Sequence, residues 1–138
     1  MGRVLALDVG DRRVGVALSD PIGIVAQGLD TIHRSRKTDK DVKVIAELAR
    51  KHEVERIVVG WPLESSGRPG AQARKVEKFI EAPQTDIDLP FERWDERMTT
   101  AIAERALIEA GESRARRKQL IDKVSAILIL QSWLDSRS

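Results

Sequence analysis

The chain has 138 residues, a formal net charge of +2 and no cysteine. This length suits one domain with a hydrophobic core, so a single domain over residues 1–138 is expected. The lack of cysteine excludes a disulfide framework and a thiolate metal site, and it favours a cytoplasmic location. No apolar run is long enough to span a bilayer, and the sequence enters a strand directly, which indicates neither a signal peptide nor a membrane partner.

The first strong pattern is a strand, a tight turn and a second strand. Residues Arg3 to Asp8 and Val14 to Ser19 predict a hairpin around the turn Gly10-Asp11-Arg12-Arg13. The first strand is apolar at nearly every position, which is typical of a central strand covered on both faces. Asp8 interrupts this apolar run, and a buried charge is costly unless it is paired or bound to a metal. The stretch therefore predicts a site for a cation, or for a phosphate held through one.

The rest of the chain alternates between helical and strand patterns. A third strand is expected within residues 22–32, broken by glycines, and further strands over 56–60 and 89–94. Helices are expected over about 41–51, 71–80, 99–110 and 120–134. The helix that precedes strand 56–60 makes this strand parallel to the first one. The pattern is that of an α/β protein, in which the carboxyl ends of parallel strands share one edge of the sheet.

Acidic residues lie where that edge is expected. Asp8 ends a strand, Asp95 and Glu96 follow another, and Asp122 lies in the last apolar helix. Carboxylates at close range repel unless a divalent cation neutralises them, and oxygen ligands suit Mg²⁺ or Mn²⁺. Each acid has an alternative interpretation: a turn cap for Asp8, a helix cap or a partner of Arg97 for the adjacent pair, and a favourable first-turn acid for Asp122. Only the combination favours a metal site.

Basic residues accompany these acids and can hold a polyanionic backbone over them. The candidates are Arg12, Arg13, Arg97, Arg114, Arg116, Arg117 and Lys118. For Arg34 and Arg36 a solvated surface charge is the preferred interpretation. With no Tyr, two Phe and three Trp, base stacking is not expected to be the main grip on nucleic acid. Trp61 is a candidate to stack on one base, and Trp133 is expected in the core.

Four sequence blocks in a fixed order cover nearly the whole chain. They are Leu7-Asp8-Val9-Gly10 with Arg13-Val14-Gly15-Val16-Ala17, then Ile57-Val58-Val59-Gly60-Trp61-Pro62-Leu63, then Asp95-Glu96-Arg97-Met98-Thr99-Thr100, and Ile121-Asp122-Lys123-Val124-Ser125-Ala126-Ile127-Leu128-Ile129-Leu130-Gln131. The combination resembles the YqgF/RuvX family, described both as Holliday junction resolvases and as pre-16S rRNA nucleases. Two places depart from the family pattern: Trp61 stands where Leu or Met is usual, and Asp11-Arg12 replaces a small polar residue and Lys.

The resemblance implies an RNase H-like fold, with a mixed five-stranded sheet flanked by helices on both faces. It also implies a metal-dependent catalytic site built from Asp8, the Asp95–Glu96 pair and Asp122, with Mg²⁺ or Mn²⁺ as the cofactor. Strand alternation allows only one of the two adjacent acids to face the site. Glu96 is the preferred ligand, and Asp95 remains the alternative.

The activity that these expectations favour is phosphodiester hydrolysis in the processing of precursor 16S rRNA ends. The first alternative is a resolvase acting on branched DNA, which would need a symmetric dimer; no dimer face is marked, so monomer and homodimer stay open. An alternative of another class is a non-catalytic nucleic-acid-binding protein, against which the presence of all the acids argues. A relative of the actin and sugar-kinase fold would need two domains, for which the chain is too short.

Overall fold

The computed structural model describes residues 2–62, 66–81 and 87–137, apart from the side chains of 98–102 and 122–123. Strands and helices alternate after an initial run of strands, much as the sequence predicts. In chain order the elements are β1 (Arg3–Val9), β2 (Arg13–Ser19), β3 (Ala26–Gly28), β4 (Ile32–His33), α1 (Thr38–Lys51), β5 (Val54–Trp61), α2 (Ala71–Glu81), β6 (Phe91–Asp95), α3 (Arg97–Glu109) and α4 (Arg114–Asp135).

The strands form one mixed sheet in the order β3-β2-β1-β5-β6. The central strand β1 pairs antiparallel with β2 and parallel with β5, and β6 is parallel to β5. Both β3 and β4 pair antiparallel with β2, so together they form one interrupted edge strand. The described strands therefore fill five positions of a mixed sheet, as expected, with the outer position beside β2 split in two.

Helices cover the two faces of the sheet because β1 is apolar at successive positions and buries both of its sides. Leu5 and Leu7 belong to a core closed by α1 and α2. Val4 and Ala6 belong to a second core closed by α4. Helix α3 packs against α4. None of the helices in the described ranges has the length and apolar character needed to cross a membrane.

Helix α4 begins earlier than the sequence pattern indicates. It starts at Arg114, where the hydroxyl oxygen of Ser113 accepts the backbone N–H of Arg116 at 3.2 Å. The prediction started it near residue 120, because the basic first turns carry no apolar periodicity. Position 122 therefore lies in the third turn of the helix, and the interpretation of Asp122 as a first-turn acid is wrong. The side chain of Asp122 is outside the described residues.

The second core provides a test of this packing. Leu130→Ala is expected to lower the free energy of unfolding by about 2–5 kcal/mol, because it leaves a cavity between α4 and the sheet. Ile108→Ala on α3 shortens a side chain that is 54% exposed; its effect is expected to stay within about 0.5 kcal/mol. Urea denaturation followed by circular dichroism measures both changes, and equal losses would contradict the assignment of this core.

Candidate active site

Asp8 and Glu96 lie on the side of the sheet that faces α4. Asp8 follows Ala6 by two residues on β1, and Ala6 belongs to the core under α4. Glu96 follows Trp94 by two residues, and Trp94 packs against the same core. Alternation along β1 places Asp8 on the α4 face, and Glu96, which follows the last residue of β6, has its carboxylate beside Ile129 of α4.

Gly60 on β5 provides the space for the Glu96 carboxylate. A Cβ atom at Gly60 would collide with Oε2 of Glu96 and would lie 2.6 Å from Cδ1 of Ile129 on α4. Only a glycine allows the strand, the carboxylate and the helix to approach this closely. The carboxylate is therefore held between β5 and α4.

The acid–base behaviour of Glu96 is strongly perturbed by this position. Burial, and then the negative charges of Asp8 and Asp95, raise the pKa of Glu96 to about 7. Burial disfavours the charged form of a carboxyl group, and a neighbouring carboxylate adds repulsion. The negative charge of Asp8 thus contributes to the raised pKa of Glu96, and a bound cation would reduce the repulsion between the two acids.

Asp95, the other member of the adjacent pair, is occupied by Arg97. Its Oδ2 lies 2.7 Å from Nη2 of Arg97, and its Oδ1 accepts the backbone N–H of Arg97 at 3.0 Å. The hydrogen bonds from Arg97 hold the pKa of Asp95 below its usual value, despite some opposing desolvation. The geometry therefore favours Glu96, rather than Asp95, as the partner of Asp8, and the catalytic role of each stays a prediction.

The third predicted acid belongs to α4. Position 122 lies one turn before Ala126, which packs in the second core. The Cβ of Ala126 lies 3.5 Å from the place that a Cβ on Gly15 would occupy, so small residues bring α4 close to β2 beside Asp8. Among the side chains that the structure describes, no three His, Cys, Asp or Glu residues form a group that could hold a metal ion. The side chain of Asp122 is outside that search.

A cleft of about 890 Å³ opens beside Asp8, between the turn after β1, the segment after β3 and the first half of α4. Arg12 and Arg13 line it from the turn, and Lys118 lines it from the helix. Their chain positions are far apart, and the fold brings them to one opening. Three basic side chains therefore share this cleft with the carboxylates of Asp8 and Asp11.

Other predicted binding residues have partners within the fold. Nε of Arg117 lies 3.1 Å from Oε1 of Glu104, and its Nη1 donates to the carbonyl of Glu112 at 2.9 Å. Arg117 thus joins α4 to α3. Arg114 and Arg116 are exposed in the first turn of α4 and do not line the cleft. The roles of these residues on nucleic acid stay predictions.

Two departures from the family pattern also have partners. The guanidinium of Arg93 lies 5.1 Å from the centre of the Trp61 ring and covers one of its faces. Trp61 is half-buried against the first core, so its ring stabilises the sheet end. In the turn, Oδ1 of Asp11 lies 3.1 Å from Nζ of Lys75 on α2, so the additional acid has a nearby counter-charge.

The interpretation of Arg34 as a solvated charge is wrong. Its Nε lies 3.1 Å from Oδ2 of Asp41, and its Nη1 donates to the carbonyl of Gly10 at 2.9 Å. The guanidinium also lies 5.1 Å from the centre of the Phe79 ring. Sequence reasoning missed this residue because a basic loop before a helix is ordinarily solvated. The only available signal was an acid in the first turn of α1, a common feature of helices.

Comparisons with known proteins define the class. The fold matches that of Thermus thermophilus RuvC in complex with a Holliday junction substrate, with a TM-score of 0.59 and 13% identity over 99% of this chain and 96% of that chain. A likeness at this identity shows the fold, and the predicted RNase H-like α/β fold is confirmed. A relative from Desulforamulus reducens is 49% identical over 134 residues, 97% of each chain. Another from Pelotomaculum thermopropionicum is 50% identical over 98% of this chain and 88% of its own length.

Both relatives bear the name "Putative pre-16S rRNA nuclease". Fold and relatives together define a nuclease of the RNase H-like class, a hydrolase of phosphodiester bonds. The family model described as RuvX, Holliday junction resolvase, matches residues 2–136. The chain belongs to this family, which confirms the predicted membership.

The opposite pKa shifts of Glu96 and Asp95 generate a test. A carboxyl group with a raised folded-state pKa contributes stability below its unfolded value, near 4.5, and loses it as the pH rises through about 7. Glutamine at position 96 cannot ionise, so Glu96→Gln does not lose this stability at high pH. In EDTA the variant is therefore expected to be more stable than wild type at pH 8. Guanidinium denaturation across a pH series measures the difference.

Asp95→Asn is the matched control and should have the opposite sign. The lowered pKa of Asp95 contributes stability above its ordinary value of 3.8, which is lost as the pH falls through the folded-state pKa. The Asn variant lacks this contribution and is expected to be less stable than wild type at pH 8. If both variants change the stability in the same direction, the assignment of the two acids is wrong.

Proposed function

We propose that the chain is a metal-dependent nuclease that processes the ends of precursor 16S rRNA in ribosome biogenesis. The observation that carries this proposal is the placement of Asp8 and the half-buried Glu96 on the α4 face of the sheet, with Asp8 in a cleft that basic side chains also line. The relatives named as pre-16S rRNA nucleases support RNA as the substrate. The proposed unit is one nuclease domain over residues 1–138, acting in the cytoplasm.

The donor set fits a divalent cation. Two carboxylates that repel each other become compatible when a divalent ion neutralises them. Oxygen ligands of this kind suit Mg²⁺ or Mn²⁺, and nucleases of this fold generally use divalent metal ions. Asp8 and Glu96 would hold the metal, with Asp122 as the third proposed ligand. Bound metal would supply activation of a water molecule and neutralisation of the charge that develops during hydrolysis.

The residues of the cleft bind and orient the substrate. Arg12, Arg13 and Lys118 offer positive charges to phosphate groups beside Asp8. Among the described residues that line the cleft, none is aromatic, so the contacts suit the sugar-phosphate backbone more than the base faces. Arg97, which Asp95 orients, would provide a further phosphate contact next to Glu96. A cleft of this kind selects substrates by shape rather than by base sequence.

A second candidate function is the resolution of branched DNA. The match to a family described as Holliday junction resolvases favours it. Paired incision of a junction requires two active sites related by symmetry, and therefore a homodimer. RNA processing requires only one copy. Oligomeric state and substrate are thus linked, and one set of cleavage assays can separate the two functions.

Cleavage assays should compare a precursor 16S rRNA end with a four-way DNA junction, each with Mg²⁺, Mn²⁺ or EDTA. Wild type is expected to cut the RNA only with metal. Asp8→Asn and Glu96→Gln are expected to lower the rate by about 100-fold or more, because each removes a charged ligand of the metal ion that would stabilise the charge on the reacting phosphate. Asp39→Asn, at an exposed acid on α1, should retain the wild-type rate.

Three results would contradict this proposal in different ways. Paired symmetric cuts in the junction without RNA cleavage would assign the resolvase function. Binding without cleavage of either substrate would assign a non-catalytic binding role. Equal loss of activity in Asp8→Asn and Asp39→Asn would show that the substitutions do not report on the acidic site.

A further inference from the structure

We propose that Arg34 is a positioning residue that fixes the turn between β1 and β2, so that Arg12 and Arg13 meet nucleic acid in a single arrangement. The consequence for binding rests on the proposed function, because it requires nucleic acid in the cleft. The fixation of the turn does not depend on any ligand. The two parts can therefore be tested separately.

Arg34 makes two of the hydrogen bonds that define this turn. The turn closes on itself where the N–H of Gly10 donates to the carbonyl of Arg13 at 2.9 Å. The carbonyl of Gly10 accepts from Nη1 of Arg34 at 2.9 Å. The carbonyl of Arg12 accepts from the backbone N–H of Arg34 at 2.8 Å. Arg34 thus donates hydrogen bonds to two carbonyl groups of the turn, those of Gly10 and Arg12.

The side chain of Arg34 is itself held from two helices. Asp41 of α1 is only 2% exposed, and its carboxylate accepts from Nε of Arg34 at 3.1 Å and from the N–H of Ser35 at 2.9 Å. Phe79 of α2 lies beneath the guanidinium. A buried carboxylate requires a charged partner, and the planar guanidinium can serve an acid and a carbonyl at once. The turn is therefore tied to the helices of the opposite face of the sheet.

A fixed turn favours binding through entropy. Arg12 and Arg13 are exposed and line the cleft, whereas Arg34 does not line it. A segment already held in its bound arrangement loses less conformational freedom when it engages phosphates. Loss of Arg34 should weaken binding without removing a phosphate contact. A residue that touched phosphate directly would also change the salt dependence.

The test uses the double variant Arg34→Gln/Asp41→Asn, which leaves no unpaired buried charge and keeps the net charge unchanged. Fluorescence anisotropy in EDTA measures the dissociation constant for a labelled 20-nucleotide single-stranded RNA over a salt series. The dissociation constant is expected to rise about tenfold. The free energy lost is that of the charged hydrogen bond between Arg34 and the Gly10 carbonyl, which holds the turn before RNA binds. The slope of log K against log salt should be unchanged. Arg13→Ala is expected to reduce the magnitude of this slope by about 0.7, because one phosphate contact is lost.

Amide hydrogen exchange supplies a readout that is independent of any ligand. Exchange at the N–H of Gly10 is expected to accelerate about tenfold or more in the double variant, because the turn opens more often. The control is Arg137→Gln/Glu92→Gln, which removes another ion pair whose arginine lies over a tryptophan ring. It should change neither Gly10 exchange nor RNA affinity. If the double variant does not fold, Arg34→Lys serves instead, since it keeps the charge but replaces the two nitrogens that reach Asp41 and the Gly10 carbonyl with one.

Each outcome decides the inference. Unchanged exchange at Gly10 would overturn the fixation of the turn. Faster exchange with unchanged affinity would overturn its role in binding, and a reduced salt slope would show that Arg34 contacts phosphate itself. If wild type cuts no substrate while the exchange and affinity changes occur as expected, the nuclease proposal fails and this inference stands. A wild-type protein that binds no nucleic acid would overturn the binding role.

Discussion

Repulsion between two carboxylates at one edge of the sheet is the constraint on which the candidate site depends. Asp8 and Glu96 would separate in a flexible chain, yet parallel strands bring their carboxyl ends together and α4 closes over them. Burial of the Glu96 carboxyl group, and then the negative charges of Asp8 and Asp95, oppose ionisation there and raise the pKa of Glu96. Extensive apolar burial on both faces of β1 offsets the free-energy cost of this arrangement. The two acids stay on one face because the strands cannot move apart without opening both cores.

The two faces of the sheet contribute differently to this site. The face under α4 carries Asp8 beside Gly15, and the Glu96 carboxylate lies in a space left by Gly60. The opposite face supports the surrounding backbone, since Arg34 reaches from its loop to the turn and to a buried acid on α1. The adjacent residues Asp95 and Glu96 also differ in their surroundings. Hydrogen bonds from Arg97 lower the pKa of Asp95, whereas burial and nearby negative charges raise the pKa of Glu96. The chain turns from β6 into α3 at Glu96, so these two neighbouring side chains lie in different surroundings.

Much of this arrangement could be predicted from the sequence, because its determinants are local or periodic. The apolar run that precedes Asp8 predicted a central strand, and helix-then-strand order predicted the parallel pairing with β5. The start of α4 was missed since Ser113 and its basic first turns show no apolar spacing. Arg34 was misjudged because its partner Asp41 becomes buried only through tertiary packing. The stacking role suggested for Trp61 did not anticipate Arg93, whose contact depends on the register between β5 and β6.

The position of α4 in the chain has a consequence for how the protein is made. This helix follows all six described strands, and among the described side chains it supplies the helical residues of the second core. During synthesis from the amino terminus, the sheet and its first core can form while Ala6 and Ala17 are still uncovered. The wall of the cleft that carries Lys118 is the last to arrive. A nascent chain that stalls before α4 has emerged therefore lacks one wall of the cleft and leaves the apolar face of the sheet open to association with other chains.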